Sequence, residues 1–144
     1  MKITKIHPYT ESPVEQSLPL FDARIQAGFP SPAEDEYADS LNLQEFLTPH
    51  PDTTFFLRVE GDSMIEAGIF SGDMLVVDRS LGVKQDDVVV AIIDGEFTVK
   101  RYQKHSDGIY FLPENPEYAP IVIQPDSEIE CEIWGVVTYV IHRP

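Results

Sequence analysis

Val88-Val89-Val90-Ala91-Ile92-Ile93-Asp94-Gly95-Glu96-Phe97-Thr98-Val99-Lys100-Arg101-Tyr102 decides the fold. Six β-forming or small apolar residues run into Asp-Gly, and an alternating segment follows. A two-residue type I′ turn needs positive φ at both central positions. Asp tolerates that conformation and Gly adopts it freely, so the stretch predicts a tight β-hairpin. Alternation on the return strand places Phe97, Val99 and Arg101 on one face and Glu96, Thr98, Lys100 and Tyr102 on the other.

The same reading extends outward from this hairpin. Thr53 to Glu60 is a run of β-formers ending at a glycine, and Asp73 to Asp78 is a short valine-rich run. With Asp87 to Ile93, it suits strands buried on both faces. Gly108 to Leu112, Ala119 to Ile123 and Glu128 to Ile141 complete the set, punctuated by Pro113-Glu114-Asn115-Pro116 and Gln124-Pro125-Asp126-Ser127. Asp39 to Leu47 reads as a short helix, capped by Asp39 or Ser40 and stopped at Thr48-Pro49-His50-Pro51. Residues 1–32 hold five prolines and no sustained periodicity, which predicts an extended or mobile arm. Leu18, Leu20, Phe21, Ile25 and Phe29 make that arm more apolar than a solvated tail requires. The expected fold is mostly β, a compact domain of many short strands, without internal repeats or a helix-turn-helix.

Composition narrows the function classes. The 144 residues are 42% apolar, enough for one domain with a real core and no disulfide or metal staples. No apolar run is long enough to cross a membrane as a helix. The first residues have two lysines but no apolar segment behind them, so no secretory signal is expected. Cys131 is the single cysteine, in an apolar alternating segment, and reads as a buried thiol in a reducing, cytoplasmic compartment. No Cys or His cluster has ligand spacing, so no metal or other cofactor is expected. The net charge is −15, and residues 29–144 carry all of the excess, with 7 basic and 22 acidic residues. Binding to a phosphate backbone wants clustered Lys and Arg, so direct nucleic-acid binding is not expected.

The chemistry is carried by Gly61-Asp62-Ser63-Met64 and by Lys100, which lies 37 positions beyond Ser63. An isolated Gly-Asp-Ser-Met is an ordinary turn, and a lone strand lysine is ordinarily solvated. Together, a serine on a turn after one strand and a lysine on the return strand of a hairpin suit a nucleophile and its general base. Neither His7, His50, His105 nor His142 lies in a nucleophile motif. Serine needs a base to take its proton, and a neutral lysine can replace histidine. With a reference pKa of about 10.4, a lysine at pH 7 is neutral less than about a thousandth of the time. Burial would have to lower that value by roughly three units, a differential cost of about 4 kcal/mol. Lys100 must therefore lie in a dry place without a carboxylate partner. Upstream, Ala27-Gly28 is a small, sterically open peptide bond that such a dyad could cut within its own chain.

Gly61-Asp62-Ser63-Met64, Ser71-Gly72-Asp73-Met74-Leu75-Val76-Val77-Asp78 and Asp94-Gly95-Glu96-Phe97-Thr98-Val99-Lys100, in this order, resemble the UmuD proteins of the LexA-like self-cleaving group. Phe29-Pro30-Ser31-Pro32 and Pro113-Glu114-Asn115-Pro116-Glu117-Tyr118 also fit, and the resemblance runs from about Gly28 to the C-terminus. It implies a LexA/signal-peptidase-like β domain and an SOS mutagenesis protein. Carried over by position, Ser63 is the nucleophile, Lys100 the general base and Ala27-Gly28 the bond cut, with the Asp62 and Ser63 backbone N–H groups as oxyanion donors. Residues 1–27 would then be an arm removed by self-cleavage, 28–50 a linker with a short helix, and 51–144 the peptidase-like domain. The resemblance further implies cleavage stimulated by RecA filaments, and a shortened homodimer that works with the error-prone polymerase subunit UmuC. A LexA repressor would need a helical DNA-binding domain before the cleavage site, which 27 mostly irregular residues do not supply. Two other readings compete: an acidic binding module without chemistry, and a signal-peptidase-like enzyme acting on other proteins, which would want a membrane anchor.

Overall fold

The computed structural model describes residues 1–8, 17–21 and 37–144. Its strands are β1 (Lys2–Pro8), β2 (Ser17–Phe21), β3 (Tyr37–Asn42), β4 (Thr54–Glu60), β5 (Met74–Asp78), β6 (Val88–Ile93), β7 (Glu96–His105), β8 (Gly108–Leu112), β9 (Ile121–Ile123) and β10 (Cys131–Ile141). Among the described residues one α-helix, α1, spans Leu43–Leu47. The chain is mostly β, as the hairpin and its flanking runs predict.

Met1–Thr10 and His50–Pro144 form one compact unit, and Glu11–Pro49 a second. In the first, eight antiparallel strands take the order β1-β4-β5-β10-β6-β7-β8-β9. Asp94 and Gly95 turn the β6–β7 hairpin with φ of 47° and 80°, as a type I′ turn demands. Val90 faces Val99 and Val89 faces Lys100 across that hairpin. Strands β5 and β6 are buried on both faces, as their apolar runs require. Leu57, Val59, Met64, Leu75, Val77, Val90 and Val99 belong to one core, and Val89, Ala91, Tyr102, Phe111, Ile123 and Val136 to the other.

The sheet curls. β1 lies against β7 as well as β4, and Trp134 on β10 meets Phe55 of β4 and Phe97 of β7 at ring separations of 5.1 and 5.7 Å. β10 is the long central strand, pairing β5 with one half and β6 with the other, and its register shifts in both pairings. A glycine is required where it presses on β5: a Cβ on Gly135 would stand 2.6 Å from Val77 Cγ1. Curling brings the turn after β4 toward the middle of β7, and this positions the site.

The second unit contains the antiparallel pair β2–β3, followed directly by α1. Here the structure corrects the expected helix. Residues 37–42 pair with β2, so the helix starts only at Leu43, and Asn42 is its cap, its side chain accepting the Glu45 N–H at 3.1 Å. Asp39 and Ser40, the expected caps, are strand residues. Within the expected arm, β1 and β2 are paired strands, each with one break in register.

Candidate active site

Strand β4 ends at Glu60, and Gly61 turns the chain with a φ of 104° that side-chain-bearing residues rarely adopt. The Gly61 N–H donates to Ser71 Oγ at 3.2 Å, fixing the start of the turn. Beyond it, Met64 is fully buried in the core, and its carbonyl accepts the N–H groups of Ala67 and Ile69 at 3.0 and 3.2 Å. Ser63 is held between these anchors and is itself only 1% exposed.

The loop after β8 clamps the same turn. The Glu114 N–H donates to the Ser63 carbonyl at 2.8 Å, and Asn115 Nδ2 to the Asp62 carbonyl at 2.9 Å. The Tyr118 hydroxyl hydrogen-bonds Asp62 Oδ1. Glu114 is ion-paired with Arg101, the neighbour of Lys100 on β7, so the loop ties the serine turn and the lysine strand together. Glu114, Asn115 and Tyr118 are the site residues whose roles the sequence did not reveal. Their motif was visible, but their contacts cross more than fifty positions of chain.

Lys100 rises from the middle of β7 on the face it shares with Tyr102 and is 6% exposed. Its Nζ lies 3.3 Å from Ser63 Oγ and donates to the Val99 carbonyl at 3.0 Å. Among the described residues, no carboxylate pairs with it. Burial lowers its pKa from the ordinary lysine value, with a smaller opposing effect from a hydrogen bond to the Met1 amino group. The expected serine and lysine are thus brought together in a dry setting.

A second nitrogen completes the cluster. The Met1 amino group donates to Ser63 Oγ at 2.7 Å, closer than Lys100. Its pKa is lowered from 8.0 to about 5, first by burial and then by the neighbouring Lys100, against a partial restoring effect of Asp62. Ala27 and Gly28, the expected scissile pair, lie outside the described residues. Also among the described residues, no group of three or more His, Cys, Asp or Glu could hold a metal ion, and no helix is long and apolar enough to cross a membrane. Cys131 is half-buried beside the second core rather than fully enclosed, and burial raises its pKa.

Sequence comparison gives the class of protein that this fold and its buried serine belong to: the chain is a member of the Peptidase S24-like family, a serine peptidase family, whose profile matches residues 19–138. Within that family its relatives bear out the resemblance to UmuD proteins. Protein SamA of Salmonella typhimurium is 46% identical over 92% of this chain and 91% of its own length. Protein MucA of Escherichia coli is 47% identical over 85% of this chain and 83% of its own. The LexA repressor of Sorangium cellulosum is 41% identical over 83% of this chain but only 52% of its own length.

Proposed function

We propose that this chain is a self-cleaving serine peptidase of the SOS response, cutting its own Ala27-Gly28 bond once with Ser63 as nucleophile and Lys100 as general base. The observation that carries this reading is the 3.3 Å approach of Lys100 Nζ to Ser63 Oγ, both groups buried and the lysine free of any carboxylate among the described residues. The family membership and the UmuD-like relatives support it.

In the reacting state neutral Lys100 accepts the Ser63 hydroxyl proton. Oγ then forms a bond to the Ala27 carbonyl carbon, and the negative charge that develops on its oxygen faces the backbone N–H groups of Asp62 and Ser63. The C–N bond to Gly28 breaks, and the leaving nitrogen takes the proton back from Lys100. Water, deprotonated by Lys100, hydrolyses the Ala27 ester and restores Ser63. The products are residues 1–27 and a 117-residue body beginning at Gly28. The substrate is tethered, so a partner accelerates cutting by favouring the docked arm and need not contribute a catalytic group. A RecA nucleoprotein filament is the proposed partner for that step. The acidic cleaved body then works as a homodimer with an error-prone, UmuC-type polymerase subunit, and its contact with DNA runs through those partners.

Incubation of the purified chain at about pH 10, where an unperturbed lysine begins to deprotonate unaided, tests the chemistry. Mass spectrometry should find the 117-residue product from the wild type and none from Ser63→Ala. Identical behaviour of the two proteins would remove the dyad from the account.

A further inference from the structure

The occupant of Ser63 is part of the chain itself. β1 runs antiparallel along the outer edge of β4, with Lys2 opposite Glu60 and Pro8 opposite Phe55, and delivers the Met1 nitrogen to 2.7 Å from Ser63 Oγ. The contact is built into the packing. Ile3 and Met1 pack against the first core, and a Cβ on Gly61 would stand 3.6 Å from Met1 Cα.

An amino nitrogen beside the serine, with its chain leading away as a strand, has the chemistry of a leaving group. When a peptide bond is cut, the departing nitrogen must lie within reach of both the nucleophile and the lysine that returns its proton. The Met1 nitrogen occupies that position. We propose that the β4 edge is the docking track for the segment that follows the scissile bond, and that β1 is a removable plug covering it, so that cutting requires β1 to leave. This inference rests on the self-cleaving reading above.

The segment after the bond suits such a track. In Gly28-Phe29-Pro30-Ser31-Pro32 the two prolines are two residues apart, so both missing N–H groups fall on one side of an extended strand. A strand paired along one edge only, through Phe29 and Ser31, tolerates both prolines. The plug is also lightly held. Ile3 and His7 are half-buried and the other β1 residues are exposed, so little apolar area is lost when it detaches. One edge accepts one strand at a time, which makes β1 and the substrate segment mutually exclusive.

A reversible lock tests the proposal in the full chain. Lys5 and Arg58 face each other across β1 and β4 and are both exposed, so Lys5→Cys with Arg58→Cys, in a Cys131→Ser background, can join the strands. Oxidised protein should cut the Ala27-Gly28 bond at least about tenfold more slowly at alkaline pH, in proportion to the lost fraction of open chain. Reductant should restore the rate. The complementary Ile3→Asp variant, which disfavours docking of β1, should cut several-fold faster than wild type by the same population argument. Equal rates in the oxidised and reduced lock, or an unaltered rate in folded Ile3→Asp, would overturn the plug while leaving the peptidase intact. If wild type and reduced lock are both folded yet produce no Ser63-dependent fragment, the peptidase reading fails and the plug falls with it.

Discussion

Asn115 Nδ2 donates to the Asp62 carbonyl at 2.9 Å, fastening a loop after β8 to the turn that carries Ser63. Asn115 is 6% exposed, and its own Oδ1 accepts the Glu117 N–H at 3.0 Å. It satisfies two backbone groups at once, and one of them belongs to the residue immediately before the proposed nucleophile.

Replacing Asn115 by Asp keeps the acceptor for Glu117 and removes the donor to Asp62. We expect a loss of about 1–3 kcal/mol in stability, the cost of leaving a buried polar group unpaired. Cleavage should slow by about tenfold or more, because a small misplacement of the nucleophile is expensive. Urea unfolding and the appearance of the 117-residue product measure the two effects separately. A variant as stable and as fast as wild type would strip the loop of its positioning role.

The pH dependence of cutting follows from Lys100. Burial holds its pKa below the ordinary 10.5. The base acts when neutral, so the rate should rise with pH through a midpoint below that of a free lysine and level off above it. Removing a positioned general base typically costs about 10²–10⁴ in rate, and Lys100→Ala should lose that much together with the pH dependence. Product formation followed from pH 6 to 11 decides it, and a Lys100→Ala protein with an undiminished rate would exclude Lys100 as the base.

The same burial makes a statement about stability. Below the lowered folded-state pKa the fold must bury a charged ammonium or release its proton. Between that value and 10.5 the unfolded chain binds more protons, so wild-type stability should rise with pH across this window and level off above it. Lys100→Met keeps the stem and removes the charge. It should be more stable than wild type at pH 7, with the advantage fading as pH approaches 10.5. Parallel denaturation curves at pH 7, 9 and 10.5 would show it, and a Lys100→Met protein less stable at every pH would mean that the lysine is a net structural asset.

Local chemistry made the β6–β7 hairpin legible. Asp94-Gly95 encodes its own turn, and the valine-rich runs encode burial on two faces without reference to distant residues. Ser63 and Lys100 were legible because their residue types and order fit one known arrangement. β1 was not. Its register slips between Ile3 and Lys5, leaving Thr4 as an extra residue, so Ile3 faces Val59 and Ile6 faces Leu57 at a spacing of three. A bulge of this kind erases the period of two by which a strand is recognised. The second half of β3 reads as the start of a helix for a related reason. Tyr37-Ala38-Asp39-Ser40-Leu41-Asn42 has weak local preference, and pairing with β2 decides its conformation. The Met1 and Asn115 contacts with the serine turn span 62 and 53 positions, and no local pattern carries that information.

The Met1 amino group should give β1 a pH dependence of its own. Docked, its pKa is about 5 rather than 8.0, through burial and the neighbouring Lys100, opposed in part by Asp62. The docked form therefore holds fewer protons than the detached form between those values. Docking should strengthen as pH rises from 5 to 8 and gain nothing further from this group above 8. Amide hydrogen exchange, corrected for its intrinsic pH dependence, should show protection in β1 growing across that interval relative to β6 and β7. Acetylating the amino group removes the titration and should flatten the trend. Protection in β1 that falls between pH 5 and 8, or that keeps its pH dependence after acetylation, would mean that the contact between Met1 and Ser63 does not govern how β1 is held.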